Sequence, residues 1–116
     1  MNRRLHPAGH GDTADALHGL AGCLAALGRI AEALPLLQEA LAQHERLHTG
    51  DHVDLIDSLE AVAGCMHSLG RSREAQPFAE RAEAMGRRLL PQDDPRRSEL
   101  ADALATVRAA AAKQRK

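Results

Sequence analysis

Ala21-Gly22-Cys23-Leu24-Ala25-Ala26-Leu27-Gly28-Arg29 returns 42 residues later as Ala63-Gly64-Cys65-Met66-His67-Ser68-Leu69-Gly70-Arg71. The match extends outward in both directions. Towards the N-terminus, His10, Asp12, Asp15 and Leu17 fall on His52, Asp54, Asp57 and Leu59. Towards the C-terminus, Glu32, Ala33, Pro35, Ala40, Ala42, Arg46 and Leu47 fall on Glu74, Ala75, Pro77, Ala82, Ala84, Arg88 and Leu89. That makes 17 identities over the 41 aligned positions, where a composition this rich in alanine gives about four by chance. A repeated unit of this size fixes the architecture before any local reading.

Each copy reads as two helices. Leu17, Leu20, Ala21, Leu24 and Leu27, then Ile30, Ala33, Leu34, Leu37, Ala40 and Leu41, recur at helical spacing. Gly28 and Gly70 mark the break, because glycine takes the left-handed conformation that ends a helix without a Cβ clash. A further start follows Pro91-Gln92-Asp93-Asp94-Pro95, where Asp94 suits a cap and Pro95 a first helical position. Beyond it Leu100, Leu104, Val107 and Ala111 share one face. The spacing predicts helices near 11–27, 30–47, 53–69, 72–89 and 95–112.

Composition agrees with an all-α fold. Hydrophobic residues are 44% of the chain and charged ones 27%, too apolar for disorder, and Phe78 is the only aromatic. Straight side chains lose little freedom in a helix, while the β-branched and aromatic residues that suit sheets are scarce. Fifteen basic and sixteen acidic side chains leave a net charge of -1, so there is no basic footprint for nucleic acid. One phenylalanine makes no platform for stacking bases. No run of about 18 apolar residues suggests a membrane span, and Met1 to Asp12 has no apolar core of a signal peptide. The expected setting is cytoplasmic.

The spaced residues resemble the tetratricopeptide signature: Leu17, Leu20, Ala21, Leu24, Gly28, Ala33, Leu37 and Ala40, and in the second copy Leu59, Val62, Ala63, Met66, Gly70, Ala75, Ala79 and Ala82. The 42-residue period, the link at Gly50, Asp51 and His52, and Glu32-Ala33-Leu34-Pro35 are similar to the longer repeats of kinesin light chains and their bacterial relatives. The resemblance implies antiparallel helix hairpins stacked as a short right-handed α-solenoid with a C-terminal capping helix. The expected layout is a flexible N-terminus over 1–9, repeat one over 10–51, repeat two over 52–93, the capping helix over 94–112 and a basic tail over 113–116. Aromatic positions of the signature hold Leu, Met or Ala here. Ala79 stands where a large residue is expected, and Phe78 is expected to fill that space.

The family's usual role is to bind a peptide or protein in the concave groove lined by the first helix of each pair. Carried over position by position, the groove comprises Asp15, His18, Gly22, Asp57, Glu60, Gly64, His67, Glu99 and Asp102. Asparagines that similar long repeats carry beside the first large apolar residue are replaced by His18-Gly19 and Glu60-Ala61. This surface is acidic with two histidines, so a basic or mixed peptide is the expected partner. The same carboxylates also serve simply to keep an exposed helix face in water. A stack of two and a half repeats is near the minimum for stability, which makes dimerisation through an open end a second expectation.

Enzymatic readings are weaker. His44-Glu45-Arg46-Leu47-His48 matches the H-E-x-x-H pattern in which two His one turn apart hold zinc and the Glu acts as base. The alternative function is accordingly a metal-binding protein or zinc-dependent hydrolase. Seven histidines in the chain make an accidental match easy. His44 and His48 align with Gly86 and Leu90 at the end of a hairpin helix, so surface histidines are expected, with no metal, no cofactor and no catalytic residue. Cys23 and Cys65 occupy equivalent places one repeat apart, too far for a disulfide, and are expected to be small buried hydrophobes.

Overall fold

The computed structural model describes residues 11–114. Five helices follow one another: α1 (Gly11–Ala26), α2 (Ile30–Leu47), α3 (Val53–Ser68), α4 (Ser72–Leu89) and α5 (Pro95–Gln114). Each predicted helix is present, with α5 running two residues further than its apolar face alone suggests. The expectations for 1–9 and for the last two residues of the tail fall outside the described residues.

The hairpin turns have one cause in both copies. Gly28 and Gly70 adopt φ of 81° and 78°, which only glycine holds without strain. That conformation lets the Arg29 N–H donate to the Leu24 carbonyl at 2.8 Å and the Gly28 N–H to the Ala25 carbonyl at 3.0 Å. Arg71 and Gly70 repeat the pair onto Met66 and His67 at the same distances. This is the Schellman arrangement, which satisfies the last carbonyls of a helix while reversing the chain. Arg29 then pairs with Glu32, and Arg71 with Glu74, on the exposed outer side of each turn.

The links between repeats are also built alike. His48 and Leu90 leave their helices in extended conformation. His52 Nδ1 then accepts the Asp54 N–H at 3.0 Å, and Asp94 Oδ1 accepts the Arg96 N–H at 2.9 Å. Each caps the helix that follows. Pro35 and Pro77 lie on exposed positions inside α2 and α4, where each removes one helical donor.

Packing runs from each helix to the next: α1 on α2, α2 on α3, α3 on α4 and α4 on α5. Ala21, Ala33, Ala63, Ala75, Ala79 and Ala82 are buried in the contacts and allow close helix approach. Leu34, Leu37, Leu55, Ile56, Leu59, Val62, Met66, Met85, Leu100, Leu104 and Val107 fill the core. Phe78 packs partly buried against this core, and Ala79 is buried within it. α3 has neighbours on both sides and buries eight residues.

α1 departs from the expected pattern. Leu20 and Leu27 share the helical spacing of core residues, yet are 52% and 72% exposed. Cys23 is exposed while Cys65 is buried. No described element packs on that face of α1, so positions that become core in α3 stay at the surface.

Candidate functional site

Two cavities open along the face shared by α1, α3 and α5. The first, of about 370 Å³, lies between α1 and α3 and is lined by His18, Ala21, Gly22, Ala25, Ala61, Gly64, Cys65 and Ser68, with Ile30 and Leu37 beneath. The second, of about 260 Å³, continues between α3 and α5 and includes Glu60, Gly64, Leu100, Ala103 and Val107. Gly64 borders both. The floor is apolar and made of small residues, which the reading of the groove as an acidic surface missed. The sequence held a signal for it: Gly22 and Ala25, and Ala61 and Gly64, each stand three apart, on one side of their helices.

The carboxylates gather at the α5 end. Arg96 Nη2 donates to Asp57 Oδ1 at 2.6 Å. Glu60 is half-buried at the second cavity. Burial raises its carboxyl above the usual range; Arg96 opposes that shift, and Asp57 and Glu99 add to it. Glu60 thus has Asp57, Glu99 and Arg96 as its charged neighbours, and Arg96 pairs with Asp57. Asp102 is exposed on the next turn of α5. Asp15 and His18 belong to the other end, on α1. His67 does not join either group: its Nδ1 shares a 2.8 Å hydrogen bond with Ser72 Oγ at the start of α4.

The histidines form a row that periodicity alone did not reveal. Ring centroids are 6.4 Å apart from His18 to His44, 6.2 Å from His44 to His48, and 3.6 Å from His48 to His52. His44 is 3% exposed, which corrects the expectation of surface histidines at that position. Its Nδ1 lies 2.7 Å from Ser58 Oγ, and His18 Nε2 approaches the same hydroxyl at 3.5 Å. Burial lowers the His44 pKa, with His18 and His48 adding to the shift and Asp54 and Asp15 opposing it. A neutral ring keeps the acceptor or donor the serine needs.

This geometry separates the members of the H-E-x-x-H match. His44 turns onto Ser58, Glu45 pairs with Arg81 of α4 at 3.2 Å, and His48 lies 3.1 Å from Asp54. Each of the three side chains thus has a different protein partner, although the His44 and His48 rings remain neighbours. Burial likewise raises the Cys65 thiol, which disfavours the reactive thiolate.

Among the described residues, no helix is long and apolar enough to cross a membrane. No match was found among curated proteins. Eighteen chains of solved structures match. One holds the nearly identical TPR-like repeats of a Podosopora anserina kinesin light chain, 23% identical, with a TM-score of 0.78 over 90% of this chain and 49% of that one. The present chain thus spans about half the length of that relative, and the likeness establishes an all-α helical-repeat fold. The family model for the tetratricopeptide repeat matches residues 12–88, which contain both hairpins and both Schellman turns, and the chain belongs to the tetratricopeptide repeat family.

Proposed function

We propose that the chain is a protein-interaction module that holds a peptide segment along the face of α1, α3 and α5. Tetratricopeptide repeats generally mediate protein–protein contacts, and the observation that carries the reading here is the small-residue floor joined to an acidic end. Gly22, Ala25, Ala61 and Gly64 let a partner backbone approach the helices closely, while Asp57, Glu60 and Glu99 outnumber the one arginine beside them. The fitting partner is a peptide with small apolar side chains followed by a lysine or arginine. Asp15, His18 and Asp102 flank that track; His67, tied to Ser72, contributes at most at its edge. The chain acts by binding and has no catalytic role in this reading.

The floor offers a direct test. A Cβ at Gly22 or Gly64 meets no neighbour within 4 Å, so larger residues there fill the groove without disturbing the core. Replacing a mid-helix glycine also stabilises the helix by roughly 0.5–1 kcal/mol. Gly22→Leu with Gly64→Leu is therefore expected to keep or raise Tm. Partners captured from the host lysate are expected to drop more than tenfold, measured by quantitative mass spectrometry. Capture unchanged by a folded double variant places the binding surface elsewhere. Glu99→Lys with Asp102→Lys separates the acidic contribution, since both are exposed and neither is in the Arg96–Asp57 pair.

A further inference from the structure

We infer that the link between the two repeats is a binding site for one divalent transition-metal ion, held by His48, His52 and Asp54. One ligand atom from each residue lies within 4.8 Å of the others. His48 Nε2 is 3.1 Å and His52 Nδ1 3.6 Å from Asp54 Oδ2. Donors around a tetrahedral zinc with bonds of about 2.0–2.1 Å sit about 3.4 Å from one another, so these separations bracket what the ion needs.

The donor chemistry selects the ion class. Two imidazoles with one carboxylate suit zinc, nickel or copper, whereas calcium and magnesium take oxygen ligands. Three protein ligands leave a position for water, and the side chains are exposed enough to admit it: 23%, 45% and 46% for His48, His52 and Asp54. The His48 and His52 rings stack 3.6 Å apart at 7°, so binding one ion requires them to turn out of this stack and aim at a common point. His52 also gives up its hydrogen bond from the Asp54 N–H, or turns over to present Nε2.

The ligands come from both sides of the link. His48 closes α2, His52 caps α3 and Asp54 lies in its first turn. Asp51 of the same link pairs with Arg88 of α4, so the ion ties a joint that already connects three helices. Repeat two supplies an internal contrast, since the aligned positions are Leu90, Asp94 and Arg96. The donors have become an aliphatic chain, a carboxylate and a cation. Such a set holds no metal, and the site occurs once among the described residues.

The test uses the full, tag-free chain after chelator treatment, titrated with zinc alone by calorimetry and by competition with a chromophoric chelator. The expected result is one zinc per chain at micromolar Kd or tighter, with Tm rising as free zinc exceeds Kd. His48→Leu copies the residue of the second repeat, and His52→Ser keeps a capping hydroxyl. Each is expected to weaken zinc more than about tenfold while circular dichroism stays unchanged. His44→Gln is expected to leave zinc affinity alone. No binding at 100 µM zinc (about −5.5 kcal/mol of binding free energy) overturns the site, as does binding that survives both His48→Leu and His52→Ser. Equal loss in His44→Gln assigns the ion to the H-E-x-x-H pair and overturns it too. Asp54→Asn, which keeps shape and hydrogen bonding, decides the matter should either histidine variant lose its fold.

Discussion

Ser58 and Leu100 stand at the same register one repeat apart, and the residue facing each has changed size to match. His44 meets Ser58, while Gly86 meets Leu100, whose Cδ1 lies 2.5 Å from where a Cβ on Gly86 would stand. The large partner has moved from one helix to the other, and packing density is kept. Both pairs were present in the sequence as mismatches between copies, but a mismatch names no contact until the helices are docked. Gln43 is a second difference of this kind. Its Oε1 is buried without a protein hydrogen-bond partner, and the aligned residue is Met85, also buried. Leaving such an acceptor unpaired costs about 1–3 kcal/mol, and methionine has nearly the same length. Gln43→Met is expected to raise stability by about 1 kcal/mol, read as a higher urea midpoint at unchanged m-value. A lower midpoint means that the amide makes contacts worth more than the desolvated oxygen.

At the scale of the element, the helices themselves were legible almost to the residue, because the signals are local. Gly28, Gly70, Asp94 and Pro95 act within one turn of chain, and the apolar spacing of α2 to α5 names the faces that are buried. α1 shows where this fails. Leu20 and Val62 are the same position of the repeat, and Val62 is fully buried while Leu20 is half exposed. Periodicity states which face is apolar, and a neighbour decides whether that face is covered. Val62→Ala is therefore expected to cost about 2 kcal/mol, from two lost methyl groups and the cavity they leave. Leu20→Ala is expected to change stability by less than about 0.5 kcal/mol in the monomer. Paired denaturation curves check this. A large cost at Leu20 that grows with protein concentration points instead to a second copy covering α1, the open-end association raised by the short stack.

The described residues span 49 × 33 × 21 Å, with each helix resting chiefly on its chain neighbours. Stability in such a stack is carried by nearest-neighbour interfaces. α3 lies between two helices and buries eight residues, whereas α1 packs chiefly on α2 and, among its residues of described exposure, buries Ala14 and Ala21. Amide exchange is thus expected to be slowest in α3 and fastest, among the five helices, in α1, which opens without unfolding the rest. Equal protection in α1 and α3 under native conditions makes the unit fully cooperative instead. Saturating zinc is expected to slow exchange at the α2–α3 link and leave the α4–α5 link unaffected, since only the first carries His48, His52 and Asp54.

The sequence by itself determined the repeat, the helix boundaries, the two glycine turns and the all-α class, because each rests on contacts within one or two turns of chain. It also named Asp57, Glu60 and Glu99 as candidates, and the docked helices make Asp57 and Glu99 charged neighbours of Glu60. Tertiary structure alone decided the remainder. It buried His44 against Ser58, 14 residues away in the chain. It turned His67 towards Ser72 and gave the groove an apolar floor. Those outcomes depend on how one helix sits against another, a relation between distant residues that no local spacing encodes.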